Sequence, residues 1–368
     1  MSLSAGDRVA DDLELLRPLG RGGMGMLWIA RDLGMQREVV VKFVSDEVGA
    51  EHSEEALHRF EREDRAIQRA TSPYVVQVYG SGLTADGLPY IVMEYLDGES
   101  LADRIDHGGP MGLPEVAEIV SQVAKGLSVA HERGIVHRDV KPDNVFLVRS
   151  QGELRVKLID FGVAKVTGGG SFVTKAGAMI GTIAYMSPEA LRDSSSVDHR
   201  SDLWALGVVA YEMVTRHLPF YRKNDYEHCL AIMRGKFVMA SALVAGLPPA
   251  LDAWFARALA VKPEGRFSSA RELAAELQAA VNPTSVAVIR QRLVAFTRST
   301  WAGGAQPWDP VALTRHLAGS TPPYPEIWRP EHLGTASELI ADAMRAGLDR
   351  TSIVKAIVWG FATQADPG

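Results

Sequence analysis

His137-Arg138-Asp139-Val140-Lys141-Pro142-Asp143-Asn144, followed by Asp160-Phe161-Gly162, is the stretch that decides how this chain is read. It offers one carboxylate, Asp139, able to act as a base, with the ammonium of Lys141 two residues away. Asn144 and Asp160 add an amide and a second carboxylate, oxygen donors of the kind a hard magnesium ion prefers. Each residue alone is equally at home in a turn or a cap, where Asp and Asn are favoured. Their order and spacing speak for chemistry. His137 and Phe161 read as packing residues, and His137 has no metal-ligand partner at usable spacing.

Upstream of this stretch the texture is that of strands. Leu13 to Ala30 predicts two strands around a glycine turn, and Glu38 to Val44 is a β-branched run typical of a buried strand. Glu54 to Ala70 predicts a helix with Leu57, Phe60, Ile67 and Ala70 on one face. Val75 to Tyr79 and Pro89 to Tyr95 predict two further strands. After Asp97-Gly98 helices take over. Pro114 to Arg133 is long and amphipathic and stops at Gly134. Short strands are expected around Asn144 to Arg149 and Arg155 to Ile159. Val163 to Ile180 lacks periodicity and predicts a mobile loop, and Asp202 to Val281 is mostly helical. A strand-rich unit followed by a helix-rich one implies an α+β protein of two lobes with a cleft between them.

Two further features complete the chemistry. Gly20-Arg21-Gly22-Gly23-Met24-Gly25 lies between two strands, where glycines let backbone N–H groups approach phosphate oxygens. An ordinary hairpin turn would read the same way, and no helix follows as a dinucleotide site would need. Lys42 ends the run Val39-Val40-Val41. It either snorkels to water from the strand end or pairs with an anion. Glu63 belongs to the inward stripe of the next helix and is the candidate partner, unless it lies on the solvated face, as most glutamates do. A lysine held by a glutamate against phosphates, a base and two metal-binding oxygens together supply what in-line phosphoryl transfer to a hydroxyl requires.

Composition narrows the field. The chain has 368 residues, 46% hydrophobic and 23% charged, with a net charge of −6. That acidic balance argues against nucleic acid and against an anionic membrane surface as partners. Cys229 is the one cysteine, so no intrachain disulfide forms, and a reducing, cytoplasmic setting is expected. Met1 to Asp12 reads as a short polar tail rather than a signal peptide. No apolar run reaches the roughly 18 residues of a membrane span. Ile353 to Phe361 is the nearest, and it contains Lys355. Beyond Pro283, Thr284 to Ser299 looks helical, about 302–334 is a linker rich in Pro and Trp, and Ala336 to Leu348 and Ser352 to Phe361 predict closing helices.

These motifs, in this order, resemble the protein kinase superfamily, and within it the bacterial Hanks-type (eukaryotic-like) serine/threonine kinases. The resemblance spans about residues 13 to 281. It implies a two-lobed fold with an N-terminal tail at 1–12, a β-rich N-lobe with one helix at 13–96 and a helical C-lobe at 97–281. A mostly helical extension of unassigned role follows at 282–368. It implies catalytic roles for Lys42, Glu63, Asp139, Lys141 and Asn144, with Asn144 and Asp160 as metal ligands. ATP would be held by Leu19, Gly20, Gly22, Gly25, Leu27, Val40, Lys42, Met93, Glu94, Leu96 and Phe146. Met93 would be the gatekeeper, and the backbone of Glu94 and Leu96 would bond the adenine. Gly181-Thr182-Ile183-Ala184-Tyr185-Met186-Ser187-Pro188-Glu189 resembles the end of an activation loop, and Arg266 the arginine that pairs with Glu189. Asp202, Trp204 and Gly207 match the central helix of the second lobe.

The resemblance further implies Mg-ATP as the phosphoryl donor, with manganese as a substitute metal, and a protein Ser or Thr hydroxyl as acceptor. Self-association for autophosphorylation in trans would follow. Arg138 would pair with a phosphate on Thr174 or Ser171, and Thr182 would bridge Asp139 and Lys141. Val40 in place of the usual alanine above the adenine, and Phe146 below, would tighten the pocket. Two other classes stay open: a pseudokinase scaffold, against which the intact Lys42, Asp139, Asn144 and Asp160 speak, and a small-molecule phosphotransferase, against which the 181–189 segment and Arg266 speak.

Overall fold

A computed structural model describes residues 3–22, 25–44, 72–109, 111–150, 153–161, 183–193, 197–282, 286–300, 313–314, 316–317, 328, 330–345 and 348–362. The chain divides into two compact units, Met1–Ala274 and Ala275–Gly368.

The first unit opens with strands β1 (Arg8–Ala10), β2 (Leu13–Gly22), β3 (Gly25–Asp32), β4 (Arg37–Val44), β5 (Val78–Leu83) and β6 (Pro89–Glu94). They form one antiparallel sheet in the order β1-β2-β3-β4-β6-β5. β4 is interior, and its β-branched run explains why. Side chains on a strand alternate between faces. Val39, Val41 and Phe43 join Leu15, Trp28, Ala30, Tyr90 and Val92 in the core of the lobe. Val40 instead joins Val76 and Met93, with Leu27 and Leu96 packed alongside. A single strand therefore seals the lobe on one side and lines the candidate pocket on the other.

Two expectations are corrected here. β5 does not span Val75 to Tyr79 but begins at Val78 and runs through Gly80-Ser81-Gly82 to Leu83. Val75 bridges Leu158 in parallel instead. Arg8–Ala10, within the stretch read as a tail, pairs with β2 as an edge strand. The helix expected over Glu54 to Ala70 lies outside the described residues.

A second sheet, β7 (Gly98–Ser100), β8 (Val145–Ser150) and β9 (Glu153–Leu158), carries the decisive motifs at its ends. Ser100 then opens α1 (Leu101–His107) through a reciprocal capping box with Asp103. α2 (Leu113–His131) buries Val116, Ile119, Val120, Val123 and Leu127 at helical spacing. Its chain reverses at Gly134, whose φ of +73° favours glycine. Gly126 on the same helix meets the chain closely: a Cβ there would lie 2.9 Å from the Tyr74 carbonyl oxygen.

The remaining helices of this unit are α3 (Pro188–Arg192), α4 (His199–Thr215), α5 (Asp225–Arg234), α6 (Ala240–Leu243) and α7 (Pro249–Ala258); α8 (Ala270–Val281) carries the boundary between the units. α4 is buried on nearly every face, from Ser201 through Ala210 without interruption. Trp204 on α4 stacks on Phe220 with centroids 5.3 Å apart, and the Arg266 guanidinium lies over the same indole.

The second unit contains α9 (Val286–Thr300), α10 (Leu333–Arg345) and α11 (Arg350–Ala362). Its core holds Leu293, Leu313, Leu317, Trp328, Ile340 and Ile357. Leu313, Leu317 and Trp328 come from the stretch read as a linker, and all three are buried. Among the described residues, no helix is long and apolar enough to cross a membrane.

Arg266 is buried and makes a two-pronged ion pair with Glu189, Nη1 to Oε1 and Nη2 to Oε2, each at 2.7 Å. Its other donors reach the carbonyls of Ala260, Val261 and Arg200. Burial pushes the Glu189 carboxyl up, but the bonds from Arg266 and Ser201 outweigh it and hold the group below the ordinary glutamate range. A carboxylate lowered in the folded state stabilises above the ordinary range, and that stabilisation is lost as pH falls through the lowered value. Arg266→Leu, which strands the carboxylate, is expected to cost about 3–5 kcal/mol in urea denaturation at neutral pH. The difference from wild type should shrink as pH falls from above the ordinary glutamate range, where burial makes the stranded carboxyl of the variant take up its proton, toward the lowered value of the wild type.

Candidate active site

β8 and β9 are paired neighbours, and the site lies where β8 begins and β9 ends. Pro142–Asn144 forms a single 3-10 turn at the start of β8, and the chain leaves β9 at Leu158 two residues before Asp160. The two ends are tied together by the Ile159 N–H, which donates to the Asn144 carbonyl at 3.0 Å.

Within this frame, Asp139 is almost fully buried. Its Oδ2 accepts from Asn144 Nδ2 at 3.0 Å and lies 3.4 Å from Lys141 Nζ. The same amide nitrogen donates to the Asp139 carbonyl at 2.8 Å. Both Asn144 N–H bonds are thereby committed to Asp139, which fixes the amide and leaves its Oδ1 as the acceptor. Lys42, from β4, reaches Asp160 Oδ1 at 2.8 Å. Lys42 and Asp160 thus link the six-stranded sheet to the end of β9.

A magnesium ion fits this donor set. Magnesium binds through one or two protein oxygens and completes its shell with waters and substrate phosphates. Asn144 Oδ1 and Asp160 are such oxygens. Among the described residues no cluster of three or more His, Cys, Asp or Glu occurs.

His137 is fully enclosed and orders the loop rather than reacting. Its ring packs on Phe161 at 4.4 Å between centroids. Burial pushes its pKa down, against the pull of Asp202, Asp139 and Asp160, and keeps the imidazole neutral. Nδ1 accepts from the Asp139 N–H, so the proton sits on Nε2 and is donated to the Ile159 carbonyl. Arg138 and Asp160 both adopt left-handed backbone, with φ of +63° and +55°. Non-glycine residues seldom rest there unless the surroundings hold them.

What holds Arg138 is Asp202, a residue of α4 that spacing alone did not single out as part of the site. Its buried carboxylate accepts the N–H groups of His137 and Arg138 and the ring Nε2–H of His131, each at 2.8 Å. The signal in the sequence was an aspartate at the head of the apolar run Leu203 to Ala210, a position that demands donors once buried.

Of the nucleotide-pocket residues, Leu27, Val40, Met93 and Leu96 meet in one apolar cluster. Val76 and Ile159 also belong to it and were not anticipated. Leu19 is exposed on β2. Phe146 is half-buried on β8, opposite Ser100 and Lys157. Gly20 and Gly22 pair with Leu27 and Gly25 across β2 and β3. Gly25 has a φ of +138°, which a side chain would strain. Tyr185 donates its hydroxyl to Glu212 Oε2 at 2.6 Å, and burial pushes both groups up. Glu63, Ser171, Thr174 and Thr182 lie outside the described residues.

The chain matches the protein kinase domain family over residues 13–277. It is 38% identical over 273 residues to the serine/threonine-protein kinase PknB of Mycobacterium tuberculosis, covering 73% of this chain and 43% of that protein. It is 37% identical over 268 residues to Pkn1 of Myxococcus xanthus, covering 73% of this chain and 38% of that one. The crystal structure of the Mycobacterium tuberculosis PknI kinase domain is similar at a TM-score of 0.60 and 30% identity, covering 75% of this chain and 99% of that chain. This protein belongs to the protein kinase family, in its bacterial Hanks-type branch, and has the kinase fold of a β-sheet N-lobe and a helical C-lobe. It spans less than half the length of these curated relatives.

Replacing Asp202 by alanine would strand the His137 and Arg138 N–H groups in the interior. Asp202→Ala is expected to lower stability by about 2–5 kcal/mol in chemical denaturation, from two or three lost bonds to a buried charge. A change within about 0.5 kcal/mol would contradict the anchoring role of this carboxylate.

Proposed function

We propose that this chain is a serine/threonine protein kinase that transfers the γ-phosphoryl group of Mg-ATP to a Ser or Thr hydroxyl of a protein. The observation that carries the reading is the pairing of Lys42 with Asp160 and of Lys141 and Asn144 with Asp139. These pairs set a base, two cations and two metal-binding oxygens at the junction of the two sheets.

Asp139 orients the acceptor hydroxyl and takes its proton late in the transfer. The bond from the γ-phosphorus to the bridging oxygen breaks, the bond to the acceptor oxygen forms, and ADP leaves. Lys141 offsets charge on the migrating group, and Lys42 holds the phosphates of the donor. Asn144 and Asp160 would hold magnesium, which when bound would offset the charge on the phosphate oxygens. Manganese can replace it in the same donor set. Glu63 is assigned as the partner of Lys42 on the helix side. The ring of adenine lies among Leu27, Val40, Met93 and Leu96, with Phe146 opposite and Leu19 at the rim. Gly20, Gly22 and Gly25 cover the phosphates.

Arg138 is exposed although its backbone is anchored. That leaves its guanidinium accessible to a phosphate on Thr174 or Ser171, which would order the loop after autophosphorylation between two copies. Thr182 would bridge Asp139 and Lys141. ATP, magnesium and a single unpaired thiol suit a cytoplasmic setting.

The test is phosphate incorporation with Mg-ATP, read by mass spectrometry. Wild type is expected to carry phosphate on Thr174 or Ser171. Asp139→Asn and Lys42→Met should lower incorporation by about 10²–10⁴-fold. Chelating the divalent metal should stop it, and manganese should restore part of it. Incorporation into Asp139→Asn at the wild-type rate would refute the assignment of the base. Tight ATP binding without turnover in wild type would support a scaffold instead.

A further inference from the structure

Glu94 and Lys157 form an ion pair that the chemistry above does not use. Glu94 ends β6, in the six-stranded sheet, and Lys157 sits on β9, in the three-stranded one. Lys157 Nζ donates to Glu94 Oε1, with side-chain exposures of 14% and 18%. A largely buried pair of this kind adds little net stability over apolar packing, because desolvation offsets the attraction. Its placement is more informative than its strength.

The pair closes a ring of hydrogen bonds. Glu94 Oε1 also accepts the Gln77 N–H at 2.7 Å, and the Glu94 N–H donates to the Gln77 carbonyl at 2.9 Å. One residue earlier, the Val76 N–H donates to the Leu158 carbonyl at 2.8 Å, and the Leu158 N–H donates to the Tyr74 carbonyl at 2.9 Å. Leu158 is the covalent neighbour of Lys157, so the circuit runs Glu94, Gln77, Val76, Leu158, Lys157 and back to Glu94. On one side stands the backbone assigned to the adenine. On the other, β9 continues through Ile159 into Asp160. Val76 and Ile159, at the same junction, share the apolar cluster with Met93 and Val40. Beyond these bonds, the ion pair ties the β6 side chain directly to β9, as Lys42 and Asp160 tie β4 to the residues that follow β9.

We propose that Lys157 is a positioning residue which, through Glu94, fixes the adenine-binding backbone at one register to the strand that delivers Asp160. The proposal rests on the kinase reading above. It concerns binding that is equal in the ground and transition states, so it predicts an effect on nucleotide affinity rather than on the chemical step.

The experiment compares wild type, Lys157→Met, Lys157→Arg and Glu94→Gln in the full chain. Calorimetry measures affinity for adenosine and for magnesium tripolyphosphate, and steady-state kinetics gives KM for ATP and kcat. Lys157→Met is expected to weaken adenosine about tenfold and raise KM for ATP alike, with kcat and tripolyphosphate affinity changing less than about threefold. Lys157→Arg, which keeps the charge and a donor, should recover to within about threefold of wild type. Should Lys157→Met not fold, Glu94→Gln carries the same test, since it keeps an acceptor for Gln77 and removes the charge. A lower Tm with unchanged adenosine affinity would overturn the proposal and leave a merely structural pair. Equal losses for adenosine and tripolyphosphate would overturn it as well. Wild type that binds neither adenosine nor ATP would fail the kinase reading itself, before any variant is compared.

Discussion

The arrangement of this site depends on one buried carboxylate. Asp202 sits in a helix with almost no exposed face, where an ionised group without donors would be untenable. It finds three donors, and two are consecutive backbone N–H groups of the loop that bears Asp139. Both adjacent amides point at this one carboxylate, and Arg138, the second of them, rests in left-handed backbone. The cost of that conformation, of order 1 kcal/mol or more, is offset by bonds to a charged group. His137 then faces Phe161 and Ile159, which sets where Asp160 emerges. A single electrostatic requirement thus propagates through the loop to both acidic residues of the site.

The N-terminal sheet meets this arrangement through β4. Its period-two alternation puts Val40 toward the pocket while Val39 and Val41 are sealed in the lobe, and Lys42 follows on the pocket side. The lysine is therefore aimed by the same packing that makes the strand interior. Moving the register by one residue would turn both Val40 and Lys42 away.

Much of this was legible in the sequence because several signals agreed. The valine run, the long amphipathic α2 and its glycine stop, and the motif spacing each constrain one another. β5 was misplaced for a physical reason. Val75 and Val76 are apolar because they pack under the sheet and bridge to Leu158, whereas Gly80-Ser81-Gly82 has little strand preference and is held by its neighbour β6. Arg8–Ala10 is too short and polar to show a period. Asp202 and Lys157 escaped spacing arguments because their partners come from 64 or 63 residues away in sequence. Trp328 and Leu313 looked like linker residues, since proline-rich surroundings hide burial that only the assembled helices create.

Because Asp202 belongs to α4, the loop it organises inherits the stability of the most enclosed helix in the first unit. Proteins open in cooperative pieces, and amides in enclosed segments exchange with solvent only when the whole unit unfolds. The N–H groups of His137 and Arg138 are therefore protected with the slowest class of amides, although Arg138 itself lies at the surface. Edge elements such as β1 can fray and re-form without disturbing the loop. In deuterium uptake, the acidic centre of this protein would behave as deep interior despite opening onto solvent.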